Sequence, residues 1–316
     1  MLLDTFRPAR TRRLELLQDL CWRERTTLRV AVVAAHPDDE TIGIGGSLHL
    51  IENLTLVYTT NGATRDGRYA KQKGFDDNPS YIRVRQQEVQ RALAAAGAAA
   101  SIVCCGMSDQ EASYNMASLA SKLAKVFQAE GIDVVVTQPY EGGHPDHDAT
   151  ACAVHLARRI LFRKGVAVPE VVEMTSYHAD TDGSFTTSVF LPGGPAAAVA
   201  ELPPQDQERK RAMFECFATQ ARALKAFQTK TDRELFRPAP EYDFTRPPHA
   251  GLLHYERRDW GMDGMRWRAL ARSARQSVPF TSSQRPSMSG SEGPTRARHS
   301  SPEFLLAPES QAVPAN

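Results

Sequence analysis

Two short motifs rich in histidine and aspartate carry the residue types that hydrolytic metal sites use. The first, at 36–40, reads HPDDE, and the second, at 144–147, reads HPDH. Two imidazoles and one carboxylate are a common catalytic ligand set, because three protein ligands leave a coordination position open for water. We therefore predict a divalent ion held by His36, Asp39 and His147. Zn²⁺ is the expected ion, and Fe²⁺ suits the same three ligands.

The remaining motif residues have the chemistry to act on a substrate beside that ion. Asp38 is the predicted general base, since a carboxylate next to metal-bound water can accept its proton. His144 is predicted to lie on the opposite wall, where it stabilises an oxyanion or protonates a leaving amine. Asp146 is predicted to orient one of the histidines from behind.

Turn chemistry is the alternative explanation for each motif alone. A His-Pro-Asp sequence after a strand is often a turn in which the aspartate caps the next helix. Two such motifs, each between a predicted strand and a predicted helix, favour a shared site over two independent turns. Among the other histidines only His178, at the end of the fifth predicted strand, is kept as a reserve candidate.

Short β-branched runs alternate with longer helical patterns between residues 28 and 229. The predicted strands cover 28–35, 54–59, 101–105, 133–138 and 170–177. The predicted helices cover 39–50, 81–96, 110–130, 146–163 and 203–229. This alternation predicts an α/β fold, with a mostly parallel sheet and helices on both faces. Ligands of such sheets bind at the carboxyl ends of the strands, so the motifs can meet although about a hundred residues separate them.

The composition predicts one principal domain. Residues 1–27 are charged and are expected to form a helical lead-in, and 28–272 the catalytic domain. From 273 to 316 serine, arginine, proline and glycine dominate, which is typical of a disordered tail.

Bulk composition argues against several classes of partner. The chain has 38 Lys and Arg against 37 Asp and Glu, so its charge gives no reason to expect nucleic acid. No run approaches the ~18 apolar residues of a membrane span, and no signal peptide is recognisable. The 5 cysteines lack C-x-x-C spacing, which favours reduced thiols in a cytoplasmic protein. Composition specifies no oligomeric state.

The motifs resemble those of the LmbE/PIG-L family of zinc-dependent N-deacetylases. The resemblance rests on AHPDDE at 35–40 and HPDH at 144–147, and the first of these is the more specific. An Arg-x-x-Glu helix is matched by Arg85 and Glu88, and a lysine-rich helix ending in glutamine by residues 210–220. The similarity spans roughly residues 28–230.

The resemblance implies a Rossmann-like fold and a small-molecule substrate. The reaction it implies is removal of an N-acetyl (or N-acyl) group from an N-acetylglucosamine-type sugar or small glycoconjugate. It also implies the roles given above: zinc on His36, Asp39 and His147, zinc-bound water activated by Asp38, and an oxyanion stabilised by zinc and His144. Some members have a tyrosine two residues before the second motif, where this chain has Gly142.

The polar loop at 61–79 is the predicted substrate-binding segment, with Arg65 as the first candidate because it lies nearest the strand end. A solvated charged loop is the alternative. The aromatic residues between 236 and 267 are expected to pack over the sheet. Two other functions are compatible with the motifs: a non-catalytic sugar- or nucleotide-binding module on the same fold, and an Fe²⁺ oxygenase that uses the same three ligands.

Overall fold

The computed structural model describes residues 11–180 and 182–278, and within them strands and helices alternate. The helices are α1 (Arg12–Trp22), α2 (Asp39–Ile44), α3 (Arg68–Gln72), α4 (Asn78–Ala96), α5 (Met116–Ala129), α6 (Pro145–Arg163), α7 (Pro204–Cys216), α8 (Ala221–Leu224) and α9 (Gly264–Ser277). The strands are β1 (Thr26–Ala34), β2 (Ile51–Thr64), β3 (Ala100–Asp109), β4 (Val134–Thr137), β5 (Glu170–Met174), β6 (Tyr177–Ala179), β7 (Phe185–Thr187), β8 (Ala198–Glu201) and β9 (Arg233–Pro238).

The main sheet has the strand order β3-β2-β1-β4-β5-β9-β8. The five strands from β3 to β5 run parallel, whereas β9 pairs antiparallel with both β5 and β8. The predicted α/β class, with a mostly parallel sheet between helices, is confirmed. The antiparallel edge formed by β8 and β9 was not predicted.

Alternate residues of β1 show why helices cover both faces of the sheet. Val30 and Val32 belong to one core, whereas Ala31 and Val33 belong to a second core on the other face. Helices α1, α4 and α7 pack in the first core, and α5, α6 and α9 in the second. All four side chains are fully buried, and burial of each valine contributes about 1.5–3 kcal/mol of transfer free energy.

The long helix predicted at 203–229 is wrong, because the chain leaves the helix after Cys216. A tertiary contact explains the break. The backbone N–H of Thr219 donates to Glu88 Oε1 at 2.8 Å, and the Thr219 hydroxyl donates to Glu88 Oε2 at 2.7 Å. A continuous helix would have directed that N–H to its own backbone. The second, short helix α8 therefore begins only at Ala221.

The predicted lead-in (1–27) and the predicted tail (273–316) lie only partly within the described residues. A helix does occupy part of the predicted lead-in, as α1, but residues 1–10 lie outside the described part. The last helix, α9, continues to Ser277, past the predicted start of the tail at 273. The rest of that tail, from 279, also lies outside the described part. None of the helices in residues 11–180 and 182–278 has the length and apolarity needed to span a bilayer.

Candidate active site

The two motifs meet at the carboxyl ends of β1 and β4, which are neighbours in the sheet. From β1 the chain proceeds to β2 and β3 on one side, and it then returns to β4 on the other side. The point where strand order reverses leaves a crevice between the loops, and ligands of open α/β sheets bind in such crevices. The fold thus explains how the motifs at 36–40 and 144–147 face each other.

The first motif has a strained backbone at Asp38. This residue has a φ of +144°, a value that L-amino acids rarely adopt. Such strain costs about 1–3 kcal/mol and persists where surrounding contacts fix the conformation. Here the N–H of Asp38 donates to Glu40 Oε2 at 3.1 Å, and the Asp38 carbonyl accepts from the N–H of Thr41 at 3.0 Å. These contacts hold the Asp38 backbone in its strained conformation.

A buried arginine holds the Asp38 carboxylate. Arg85 Nη2 lies 3.0 Å from Asp38 Oδ2 and also donates to the Pro37 carbonyl oxygen. The Arg85 side chain is 2% exposed and is itself held by Glu88, which lies 3.1 Å from Nη1. The Arg-x-x-Glu pattern seen in the sequence is therefore the support of the first motif.

His36, Asp39 and His147 form a contiguous, largely buried group. His36 Nδ1 lies 3.3 Å from Asp39 Oδ2, and His147 Nε2 lies 3.3 Å from Asp39 Oδ1. Burial alone raises the pKa of Asp39, but the adjacent imidazoles outweigh it and hold that pKa well below the ordinary value. Two imidazole nitrogens at one ionised carboxylate are the donor chemistry that Zn²⁺ and Fe²⁺ accept.

His144 also brings a nitrogen to this group. One ligating atom from each of His36, His144 and His147 lies within 4.8 Å of the others. A second cluster of possible ligands joins His36 and His144 to Asp109 and Asp146. That second cluster suits an ion less well, since the Asp146 carboxylate already accepts from two backbone N–H groups.

Asp146 and Asp109 lie behind His36. Asp146 Oδ2 accepts from the N–H of Gln110 at 2.6 Å, and Oδ1 accepts from the N–H of Ala112 at 3.0 Å. The same Oδ2 lies 3.5 Å from His36 Nε2, and Asp109 Oδ1 lies 3.1 Å from that nitrogen. Both carboxylates can therefore fix the ring of His36 and leave its Nδ1 for Asp39 and an ion.

His144 is a neutral imidazole in the same site as His36 and His147. It precedes the first residue of α6, and its Nδ1 accepts from the N–H of Asp146 at 3.1 Å. The proton of the neutral ring therefore lies on Nε2. Burial, reinforced by the neighbouring His36 and His147, lowers the pKa of His144 well below the ordinary value. The indole of Trp260 covers this ring, with 4.5 Å between the ring centroids.

These side chains line a cavity of about 180 Å³, called the site cavity below. Further polar and aromatic residues of its wall come from distant parts of the chain: Tyr69, Arg85, Asp109, Tyr177, Gln220 and Trp260. Asp109 was missed because the predicted third strand ended at residue 105, whereas β3 continues to Asp109. Its position at a strand end was the available signal. Trp260 gave no signal, since only tertiary packing brings it to His144.

Arg65 does not line the site cavity. Its side chain is 78% exposed and pairs with Glu111 at 2.7 Å. The loop predicted to bind substrate does reach the cavity, but through Tyr69. His178, the reserve candidate, also lies elsewhere: it is buried between Glu141 and Asp180, 3.4 Å from each carboxylate.

Gly142 cannot be replaced by a tyrosine in this backbone. Its φ is +72°, and a Cβ at this position would lie 2.7 Å from the Leu253 side chain. The site cavity nevertheless contains a tyrosine from β6. The ring of Tyr177 packs edge-on against His147, with 5.1 Å between centroids. Burial raises the pKa of Tyr177, so its hydroxyl stays protonated at neutral pH.

Comparison with known proteins confirms the family resemblance over part of the chain. Residues 31–157, which contain both motifs, match the family model described as "PIG-L: GlcNAc-PI de-N-acetylase". A probable N-acetyl-α-D-glucosaminyl L-malate deacetylase 2 of Bacillus cereus is 27% identical over 129 residues, which are 40% of this chain and 58% of that protein. The chain thus spans somewhat more than half the length of the curated relative that it matches.

Solved structures share the fold. A triple mutant of a deacetylase in the teicoplanin biosynthetic pathway aligns with a TM-score of 0.52 and 20% identity, over 68% of this chain and 99% of that one. A 4-carboxy-2-hydroxymuconate hydratase from Pseudomonas putida aligns with a TM-score of 0.50 and 16% identity, over 69% and 98%. The fold therefore supports more than one reaction, so the reaction of this chain has to be inferred from the residues of its site.

Proposed function

We propose that this chain, whose residues 31–157 match the PIG-L family model, is a divalent-metal-dependent amidohydrolase. Its reaction is removal of an N-acetyl (or N-acyl) group from an N-acetylglucosamine-type sugar or small glycoconjugate. The observation that carries the proposal is the placement of the Asp38 carboxylate. Arg85 holds it beside the donor group His36, Asp39 and His147, and a neutral His144 lines the same cavity.

The three donors fit a divalent ion, with Zn²⁺ as the proposed species. Asp39 is ionised and offers one oxygen toward each imidazole, and all three side chains are largely buried. When bound, the ion supplies Lewis acidity: it polarises the amide carbonyl and lowers the pKa of water toward about 7. Asp109 and Asp146 fix the ring of His36 from its Nε2 side.

Asp38 takes the proton of the attacking water in this proposal. Burial raises the pKa of Asp38 to about 6, although the guanidinium of Arg85 opposes that rise. A cation held by the adjacent donors would lower this pKa again, so the carboxylate would be ionised at neutral pH and still basic enough to accept a proton. Arg85 fixes the direction of the carboxylate, which leaves one oxygen available to the water.

His144 donates its Nε2 proton toward the substrate. A neutral imidazole with its proton on Nε2 can hydrogen-bond the oxygen that becomes negative as water adds to the amide carbon. The same proton can pass to the nitrogen of the departing amine, which then leaves as a neutral group. The protonated hydroxyl of Tyr177 offers a second donor among the residues that line the site cavity.

A panel of N-acetylated sugars tests the proposal. The metal-loaded full chain is incubated with the methyl glycosides of N-acetylglucosamine and N-acetylgalactosamine and with short N-acyl homologues, and released acid and free amine are both measured. Equal amounts of acid and amine, absent with Asp38→Asn, support the amidohydrolase. Consumption of dioxygen with a second substrate would support the oxygenase instead. A purified chain that is metal-free and inert would support a binding module.

A further inference from the structure

The two nitrogens of the His147 ring face different partners, and one of these partners is a serine. Nε2 of His147 lies 3.3 Å from Asp39 Oδ1, so this nitrogen faces the donor group. Nδ1, on the far side of the ring, lies 3.2 Å from the hydroxyl oxygen of Ser176. Ser176 belongs to neither motif, and the role of its hydroxyl follows from what the ring needs on that side.

The position of the ring proton decides whether His147 can bind an ion through Nε2. A neutral imidazole binds a metal through the lone pair of one nitrogen, so the proton has to lie on the other nitrogen. With Nε2 as the ligating atom, Nδ1 carries the proton and donates it to the hydroxyl oxygen of Ser176. Histidines that bind metals usually have such a partner, which fixes both the tautomer and the orientation of the ring.

The Ser176 hydroxyl also fits the ring before an ion binds. A hydroxyl both donates and accepts, whereas an ionised carboxylate only accepts. When the ring proton lies on Nε2, that nitrogen can donate to Asp39 and the hydroxyl can donate to Nδ1. The hydrogen bond therefore survives the change of tautomer that metal binding requires, and the ring keeps its orientation.

Ser176 is itself held in place by the backbone around it. The residue is 4% exposed and lies between β5, which ends at Met174, and β6, which begins at Tyr177. Its carbonyl oxygen accepts from the N–H of Ser188 at 3.0 Å, which extends the pairing of β6 with β7 by one residue. The contact between the hydroxyl and the ring therefore does not have to order a loop.

The next residue in the chain packs against the second motif as well. The ring of Tyr177 lies edge-on to that of His147, with 5.1 Å between centroids. The carbonyl oxygen of Tyr177 is so close to Gly143 that a Cβ at Gly143 would lie 2.0 Å from it. Two consecutive residues thus contact the segment that carries His144 and His147, so the start of β6 forms a fixed support for the ligand ring.

We propose that Ser176 is a positioning residue of the metal centre, whose hydroxyl holds His147 in the tautomer and orientation in which Nε2 can bind a divalent ion. The inference rests on the proposed function for the identity of the ligands and deepens it by naming a residue outside both motifs. A purely structural hydroxyl is the competing explanation. It would stabilise the fold through its hydrogen bond and leave the affinity for metal unchanged.

The zinc affinity of the full chain, stripped of metal, tests the proposal. Zinc alone is titrated in competition with a chromophoric chelator, so the measurement needs no substrate. Ser176→Ala should raise the zinc dissociation constant about 10- to 100-fold, because His147 loses its partner. Ser184→Ala changes an exposed serine of the same hairpin, whose hydroxyl contacts Asp180, and should keep the wild-type constant. Tyr177→Phe keeps a ring beside His147 and should also keep it.

Urea unfolding of the metal-free chains separates positioning from stability. A Ser176→Ala chain that is less stable than the wild type but binds zinc equally well would overturn the proposal in favour of the structural hydroxyl. An equal loss of affinity in Tyr177→Phe would also overturn it, since the effect would then not depend on the Ser176 hydroxyl. If the wild type binds zinc but deacetylates no sugar, the proposed function fails, and weaker zinc binding by Ser176→Ala alone still supports the positioning role. A wild type without measurable zinc affinity would overturn both.

Discussion

Arg85 Nη2 lies 3.0 Å from Asp38 Oδ2, and this buried contact fixes the proposed catalytic base. Replacement by Arg85→Met removes the guanidinium that contacts two buried carboxylates, those of Asp38 and Glu88. Loss of one partner of a buried ion pair costs about 3–5 kcal/mol of folding free energy. We expect kcat to fall at least a hundredfold, since Asp38 is no longer directed at the water, while bound metal stays near the wild-type level.

Two companion variants separate catalysis from stability in that experiment. Arg85→Met combined with Glu88→Gln should recover part of the free energy of unfolding, because one buried charge is removed, but it should not recover kcat. Arg83→Met changes an exposed arginine of the same helix, whose contact is the Ser80 hydroxyl, and should leave both quantities unchanged. Full activity in Arg85→Met would show that the contact with Asp38 does not matter for turnover.

The Trp260 indole is expected to position His144. An aromatic pair contributes about 0.5–1.5 kcal/mol beyond burial, which corresponds to as much as a tenfold change in rate. Trp260→Ala should therefore lower kcat/KM for a neutral glycoside about three- to tenfold. Trp260→Phe, which keeps an aromatic ring beside His144, should lose less. Steady-state kinetics with the methyl glycoside measures both variants, and equal losses would argue against a role for the ring.

The buried pair Lys210–Glu234 is predicted to stabilise the fold away from the site. Lys210 Nζ lies 2.7 Å from Glu234 Oε1, and both side chains are at most 2% exposed. Lys210→Met leaves Glu234 charged and buried, so we expect a loss of about 3–5 kcal/mol in urea unfolding. Arg211→Met, which breaks the exposed contact with Glu208, should change stability by less than about 1 kcal/mol. A loss in Lys210→Met no larger than in Arg211→Met would contradict the structural role of the pair.

His155 should make the fold sensitive to mild acid. Burial, reinforced by Arg158, lowers the pKa of His155 to about 4 in the folded chain. The unfolded chain binds this proton near pH 6.5, so the unfolded state holds more protons between about pH 6.5 and 4. The free energy of unfolding therefore falls as pH falls through that window. In denaturant unfolding, the free energy of unfolding of His155→Gln should fall less steeply with decreasing pH than that of the wild type. His249→Gln should follow the wild-type slope. Identical slopes for the wild type and both variants would contradict the assignment.

The sequence predicted that the two motifs lie together, because each motif directly follows a recognisable buried strand. Both motifs follow strands whose apolar runs mark burial on two sides, and parallel strands end at one edge. The predicted metal ligands could therefore be placed together from the sequence alone. Their roles remain proposals until metal content and turnover are measured.

Long-range contacts account for what the sequence did not reveal. Trp260 reaches His144 only through the packing of the segment before α9, and no periodicity marks it. The helix break at Thr219 depends on the carboxylate of Glu88, 131 residues away in sequence. Arg65 was favoured for its nearness to a strand end, but its side chain points to Glu111 at the surface. Side-chain direction in an irregular loop is set by tertiary partners, which sequence spacing does not encode.

The most direct test of the metal centre and its base is elemental analysis combined with acetate release on three purified chains. We predict that the wild type binds about one zinc per chain and deacetylates the methyl glycoside of N-acetylglucosamine. Asp38→Asn should keep the zinc and lose turnover, and His147→Ala should lose most of the zinc. Normal turnover in Asp38→Asn, or stoichiometric zinc in His147→Ala, would contradict the assignment of base and ligands.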